Sequence, residues 1–284
     1  MSLELSETRI DIPLGRITGL RGGRDGAARV LALHGWLDNA ASFVPLAAHL
    51  DDIELVAIDL PGHGRSVHLP PGAHYTFEAA VHHVLDVADA LGWTRFRLLG
   101  HSMGAGIASL VAASAPERIE RLACIEALGG LAHPAEDAAR RMRESVAASR
   151  ALGDKAKRVF ASPEPAIQAR MRANQMSEPV ARLIVERGIA PADGGWAWSS
   201  DQRLTVPTFL RPVDAQIDAL VAGIECPTRV VFAEPAQSYL PDDVRRRYAA
   251  CLRDGEMIVL PGTHHLHMET PAEVATAIGA FIAG

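Results

Sequence analysis

The sequence has no apolar run approaching the roughly 18 residues of a membrane span, so no transmembrane segment is expected. Basic charge is not in excess either. The 28 Lys and Arg are set against 34 Asp and Glu, the formal net charge is -6, and the basic residues are scattered among acids. That leaves no positive field to hold nucleic acid. Arg140-Arg141-Met142-Arg143 reads as a solvated helix face rather than a phosphate site. Cysteine is scarce: Cys124, Cys226 and Cys251 are odd in number and far apart. They argue against a disulfide framework and suit free thiols in a reducing, cytoplasmic setting. The segment Met1 to Glu7 lacks the basic and apolar regions of a signal peptide. Internal repeats, low-complexity tracts and flexible linkers are missing as well.

What remains is an ordinary globular composition, 48% hydrophobic and 22% charged over 284 residues. Short apolar runs recur, each followed by a turn and a helical pattern. Val30–Leu33, Leu55–Ile58, Phe96–Leu99, Leu122–Ile125, Arg229–Phe232 and Met257–Leu260 read as buried parallel strands. Helices are expected at Ala40–Leu50, Phe77–Leu91, Met103–Ala113, Asp242–Leu252 and Pro271–Ile282. Pro241-Asp242-Asp243 and Thr270-Pro271 supply cap and first-turn residues for the last two. The alternation predicts an α/β fold, a mostly parallel central sheet with helices on both faces, and an antiparallel strand pair over Arg9–Thr18 at its edge. It breaks between about Leu131 and Val221, where Ala- and Arg-rich helical spacing at 137–152, 166–176 and 179–187 is followed by a loop holding Trp196-Ala197-Trp198. The expected division is a core of residues 1–130 and 223–284 with a helical cap inserted over 131–222.

Gly100-His101-Ser102-Met103-Gly104 places G-x-S-x-G where one apolar run stops and a helix begins. Chance supplies one such pattern in roughly a tenth of chains of this length, so the context decides. A strand that turns sharply into a helix lifts a serine hydroxyl clear of the sheet and aims the positive end of the helix at it. In a parallel sheet, other reactive groups are expected at the same carboxyl edge. The turn His34-Gly35-Trp36-Leu37 ends one strand there; it is either a plain strand-ending turn with a packed histidine or a source of oxyanion donors. Asp59 to Ser66 forms an irregular loop in which Asp59 and Arg65 are expected to tie loops together and His63 to hydrogen-bond locally. Of twelve histidines, the cluster His264-His265-Leu266-His267 stands apart, because it lies between the last strand and the last helix. Three His in four positions can chelate a metal, but no acid at ligand spacing accompanies them, and no metal is expected.

From end to end the chain resembles an α/β-hydrolase. His34-Gly35-Trp36, Asp59 to Ser66, Gly100 to Gly104 and Gly262 to Pro271 stand in that family's order and spacing. The family's G-x-H-x₄-E-x-P run falls on Gly262, His264, Glu269 and Pro271, which makes His264 the implied base and His265 and His267 its neighbours. The backbone N–H groups of Trp36 and Met103 are the implied oxyanion hole. Trp196-Ala197-Trp198 and Asp201-Gln202-Arg203-Leu204 further resemble the serine-hydrolase-like (kraken-type) branch. The acid departs from the commonest pattern, since Ala236 stands where many members carry Asp after the penultimate strand. A second family arrangement puts the acid after the strand that follows the nucleophile helix, and there this chain has Glu126. A Glu ending a buried strand needs a cation or donors, and an imidazole N–H suits it; Glu126 is preferred to Glu234.

The resemblance thus implies a cytoplasmic serine hydrolase of a small ester or related acyl substrate, working through Ser102, His264 and Glu126 without cofactor or metal. Leu37, His101, Trp196 and Trp198 are the expected substrate-binding residues. A carbon–carbon bond hydrolase or lactonase on the same triad, or a hydrolase-like binding protein without activity, are the alternatives. Nucleic acid and membrane are not expected as partners. Ser102 disfavours the dehalogenase and epoxide hydrolase relatives, which attack through Asp.

Overall fold

Strands that are apolar at consecutive positions must bury both faces, and Val30-Leu31-Ala32-Leu33 shows how. In a computed structural model, which describes residues 3–153 and 157–284, Leu31 and Leu33 join one apolar cluster while Val30 and Ala32 join the other. Met1 and Ser2 of the segment read against a leader, and residues 154–156 of the expected insertion, lie outside the described residues.

The chain begins with a hairpin of β1 (Ser6–Ile12) and β2 (Gly15–Gly23). It continues through β3 (Ala28–Leu33), α1 (Val44–Ala47), β4 (Ile53–Ile58), α2 (Phe77–Ala90), β5 (Phe96–His101), α3 (Met103–Ser114) and β6 (Ile119–Ile125). Next come α4 (Ala138–Leu152), β7 (Val159–Phe160), α5 (Glu164–Asn174), α6 (Glu178–Gly188), β8 (Ile189–Ala192), β9 (Gly195–Trp198) and α7 (Asp214–Ala222). The last elements are β10 (Thr228–Glu234), α8 (Asp242–Ala250), β11 (Gly255–Pro261), α9 (Leu266–Glu269) and α10 (Pro271–Ala283). Eight strands form the main sheet in the order β1-β2-β4-β3-β5-β6-β10-β11; β1 and β2 are antiparallel to their neighbours and the rest run parallel. One face is covered by α2, α3, α7 and α8, the other by α1, α9 and α10. The α/β architecture expected from the alternation is the one observed, with β5 near its middle.

Two segments differ from expectation. The helix expected over Ala40–Leu50 is a 3₁₀ turn at Ala40–Phe43 followed by the short α1. Pro45 has no N–H to donate back to Ala41, and the Asn39 side chain caps Ala41 N–H at 3.1 Å, so the two turns cannot merge. The insertion is also not wholly helical, because β7, β9 and β8 form a three-stranded antiparallel sheet. Trp196-Ala197-Trp198, expected in a loop, lies in β9. The pairing of Ala192 with Gly195 leaves Asp193-Gly194 as a two-residue hairpin turn, a signal legible in the sequence. Phe160, Ala166, Ile167, Ile184 and Val185 give this region a separate apolar cluster, which Met268 of α9 joins, whereas Ile217 and Val221 of α7 pack into the main core.

Polar contacts fasten the insertion to the sheet. Arg187 of α6 reaches Asp59 Oδ1 at 2.8 Å and Glu7 at 2.5 Å. Asn39 donates to the Ile184 carbonyl at 2.8 Å, and Ser199 to that of Gly64 at 2.6 Å. Asp59, fully buried, also accepts from Ala40 N–H, Arg65 N–H and Thr18 Oγ1.

Candidate active site

Ser102 follows β5 and caps α3 with φ 52° and ψ -118°, a region that a residue with a Cβ enters at a cost of about 1–3 kcal/mol. Its N–H donates to the Ile125 carbonyl at 2.8 Å, which ties the turn to β6. Gly104 lets the first turn of α3 lie against the backbone of Leu33, where any Cβ would collide with the carbonyl oxygen. The strand, the strained serine and the crowded helix start thus form one rigid unit.

His264 enters from the loop after β11. Ser102 Oγ lies 2.9 Å from His264 Nε2, and His264 Nδ1 lies 2.9 Å from Glu126 Oε2. A carboxylate only accepts, so Nδ1 carries the proton and Nε2 presents a lone pair to the serine hydroxyl. Glu126 is buried, with φ 62°, just past the end of β6. Its Oε1 accepts from Ala233 N–H at 2.5 Å and stands 3.6 Å from Arg245 Nη2. Arg245 is itself buried on α8, over the Phe232 ring, and donates to the Ala233 carbonyl at 2.7 Å. Glu234 is exposed at the end of β10, and no bond joins it to His264 among the described residues. Tyr239 brings its hydroxyl oxygen to 3.3 Å from His264 Nδ1. Arg245 and Tyr239 escape a reading of the sequence, since each meets the site only through tertiary packing.

The backbone N–H groups of Trp36 and Met103 have no acceptor among the described residues. Both residues line a cavity of about 490 Å³ that also contains Ser102, Glu126 and His264. This volume lies within the usual range of small-molecule sites. A smaller, mostly apolar branch of about 120 Å³ is lined by Leu60, Leu69, Phe77, Ile107 and Val206 and shares Trp36 and Met103 with the larger cavity. His101 lines the cavity and donates from Nε2 to the His264 carbonyl at 2.8 Å. Leu37, Trp196 and Trp198 lie off both linings. The two tryptophans pack instead in the insertion's own cluster, where Trp198 meets Phe160 edge-on at 6.4 Å, because β9 is held between β7 and β8.

Beneath the turn, His34 donates from Nδ1 to the Gly35 carbonyl at 2.7 Å and accepts Leu60 N–H at 3.0 Å. Burial lowers its pKa to about 4, and burial together with the nearby His34 lowers that of His63 to about 3. A histidine kept neutral in the fold takes up its proton more readily when unfolded. Stability is therefore complete above pH 6.5 and is lost as pH falls toward 4, by roughly 3 kcal/mol from His34 alone. Melting temperatures across pH 7 to 4 should fall more steeply for the wild type than for His34→Asn; parallel curves would contradict this.

The geometry can be set beside known proteins. Residues 28–212 match the family model described as the alpha/beta hydrolase fold. A serine hydrolase-like protein of Danio rerio is 29% identical over 98% of this chain and 88% of its own length. A probable serine hydrolase of Drosophila melanogaster is 31% identical over 97% of this chain and 87% of its own. The crystal structure of a hypothetical protein of Pseudomonas aeruginosa PAO1 superposes with a TM-score of 0.92 at 41% identity, covering 100% of both chains. With its sheet order, its serine turn and these relatives, the chain belongs to the alpha/beta hydrolase superfamily, in the serine-hydrolase-like branch.

Proposed function

We propose that this hydrolase cleaves a small ester or related acyl compound through an acyl-enzyme on Ser102. The observation that carries this reading is the unbroken hydrogen-bond chain from Ser102 Oγ through His264 to Glu126, each link 2.9 Å long. In it, His264 Nε2 takes the hydroxyl proton as Oγ attacks the carbonyl carbon, and Glu126 stabilises the imidazolium that forms. The free N–H groups of Trp36 and Met103 bind the developing oxyanion. His264 then returns the proton to the leaving group and activates the water that releases the acid. The apolar branch suits the acyl chain. The chemistry calls on no cofactor or metal.

No helix among the described residues is long and apolar enough to cross a membrane. The free thiols Cys124, Cys226 and Cys251 accord with a cytoplasmic place of work.

A fluorophosphonate probe and a series of p-nitrophenyl esters from acetate to octanoate test the reading. Wild type should be labelled at Ser102 and turn over the esters, with a chain-length profile set by the apolar branch, and Ser102→Ala should do neither. Labelling without ester turnover would point to lactone or carbon–carbon bond cleavage on the same residues. Neither result in the wild type would leave a hydrolase-like binding protein.

A further inference from the structure

Next to the Ser102–His264 pair lies a second buried cluster that the reaction does not use. Asp38 closes the turn after β3, His101 is the last residue of β5, and His265 follows His264. Asp38 Oδ2 lies 3.3 Å from His265 Nε2 and 3.7 Å from His101 Nδ1, and the three atoms all fall within 4.8 Å of one another. A four-coordinate zinc ion with bonds near 2.0–2.2 Å holds its ligand atoms about 3.4 Å apart. The sequence offers no acid beside the histidines; the fold supplies one from 227 residues away.

The protonation pattern inside the cluster asks for a cation. His101 Nε2 faces the His264 carbonyl, which only accepts, so the ring proton is on Nε2 and Nδ1 is a bare lone pair. That Nδ1 is fully buried, has no hydrogen-bond partner, and points at a carboxylate oxygen. Two acceptors facing each other in a buried place are costly unless something positive stands between them. Gly35 flanks the gap, where a Cβ would lie 2.9 Å from both Asp38 Oδ2 and His101 Nδ1. Arg170 bonds the other carboxylate oxygen, Oδ1, so Oδ2 is the oxygen left to ligate once the His265 proton it accepts has moved, and the guanidinium keeps the net charge of the cluster from favouring a permanently held ion. Asp38, His101 and His265 all border the cavity, which sets the cluster directly beside the substrate's route.

We propose that Asp38, His101 and His265 form a reversible site for a zinc-like transition-metal ion, and that occupancy inhibits the enzyme. His265 ligates through Nε2 once its proton moves to Nδ1, which has no partner. Inhibition follows from charge. The His264 ring centre is 5.0 Å from that of His101 and 5.2 Å from that of His265, so a dication there opposes the imidazolium that acyl transfer requires. The inhibitory half rests on the function proposed above; the binding half does not.

Equilibrium dialysis of untagged protein against Zn²⁺ separates the two. Wild type and Ser102→Ala should each bind one ion per chain, and His265→Gln and Asp38→Asn should each weaken binding at least about tenfold. His264→Ala should still bind, since it is outside the ligand set. Co²⁺ in place of Zn²⁺ should give the visible absorption of a tetrahedral site in the wild type, a readout that needs no variant to fold. Absence of binding, or binding lost with His264→Ala and kept with His265→Gln, would overturn the site. Zinc binding without any ester turnover to inhibit would leave the site standing and remove the function instead.

Discussion

Ser102→Ala is expected to lower kcat about 10⁶-fold and Glu126→Gln about 10⁴-fold, with folding intact. The first removes the proposed nucleophile. The second keeps the shape of the proposed acid and changes one atom, and the geometry is the reason to expect that to be enough. Glu126 uses both oxygens as acceptors, Oε1 for Ala233 N–H and Oε2 for His264 Nδ1–H. A glutamine has one such oxygen, and the Ala233 N–H, fixed in β10, claims it. The amide NH₂ then faces His264 Nδ1 and selects the tautomer with the proton on Nε2, which cannot accept from Ser102. Glu234→Gln is the control, because Glu234 is exposed, and it should leave turnover near that of the wild type. Steady-state kinetics on the best p-nitrophenyl ester decide the matter; equal, small effects of the two glutamate changes would remove Glu126 from the mechanism.

Arg187→Met is expected to cost about 3–5 kcal/mol, the loss typical of removing one partner from a buried ion pair. Burial by itself would raise the Asp59 carboxyl pKa. The Arg187 guanidinium and the N–H groups of Ala40 and Arg65 outweigh that and hold it below the ordinary value. Without Arg187, a carboxylate with no exposed surface loses its cation, and the contact of α6 with Glu7 goes too. In a chain of this size the melting temperature should fall by roughly 10 °C. Asp59→Leu combined with Arg187→Met should recover part of the loss, because both charges then leave together. A fall of less than about 1 kcal/mol in chemical denaturation would show the pair to be well solvated.

The parts of this protein that were legible in the sequence are those encoded locally. A buried parallel strand is a short unbroken apolar run, so β3 to β6, β10 and β11 could be placed without their neighbours. The serine turn carries its own glycines. Glu126 was legible through cost, since an acid ending a buried strand must have partners, although nothing local says that Arg245 is one of them. Arg245 sits on α8, and its burial depends on where α8 docks. Asp38 is silent for the same reason, being distant in sequence from the histidines it meets. An aromatic pair in an inserted segment reads as a pocket wall, but pairing within a small sheet sets Trp196 and Trp198, both partly buried, against the apolar cluster of that region.

The docking of α7 sets a limit on how such enzymes can be recombined. Ile217 and Val221 fill the same apolar cluster as β3 and β5, while Phe160, Ile184 and Val185 fill a separate one. A graft that exchanged residues 131–213 for the matching piece of a relative would replace Leu204, Val206 and Thr208 of the cavity wall and leave Ile217 and Val221 in place. A graft carried through to 222 would also lift two aliphatic side chains out of the host's interior, at about 2–5 kcal/mol for each that the donor failed to replace in kind. The natural seam for changing substrate range therefore lies on the near side of that helix.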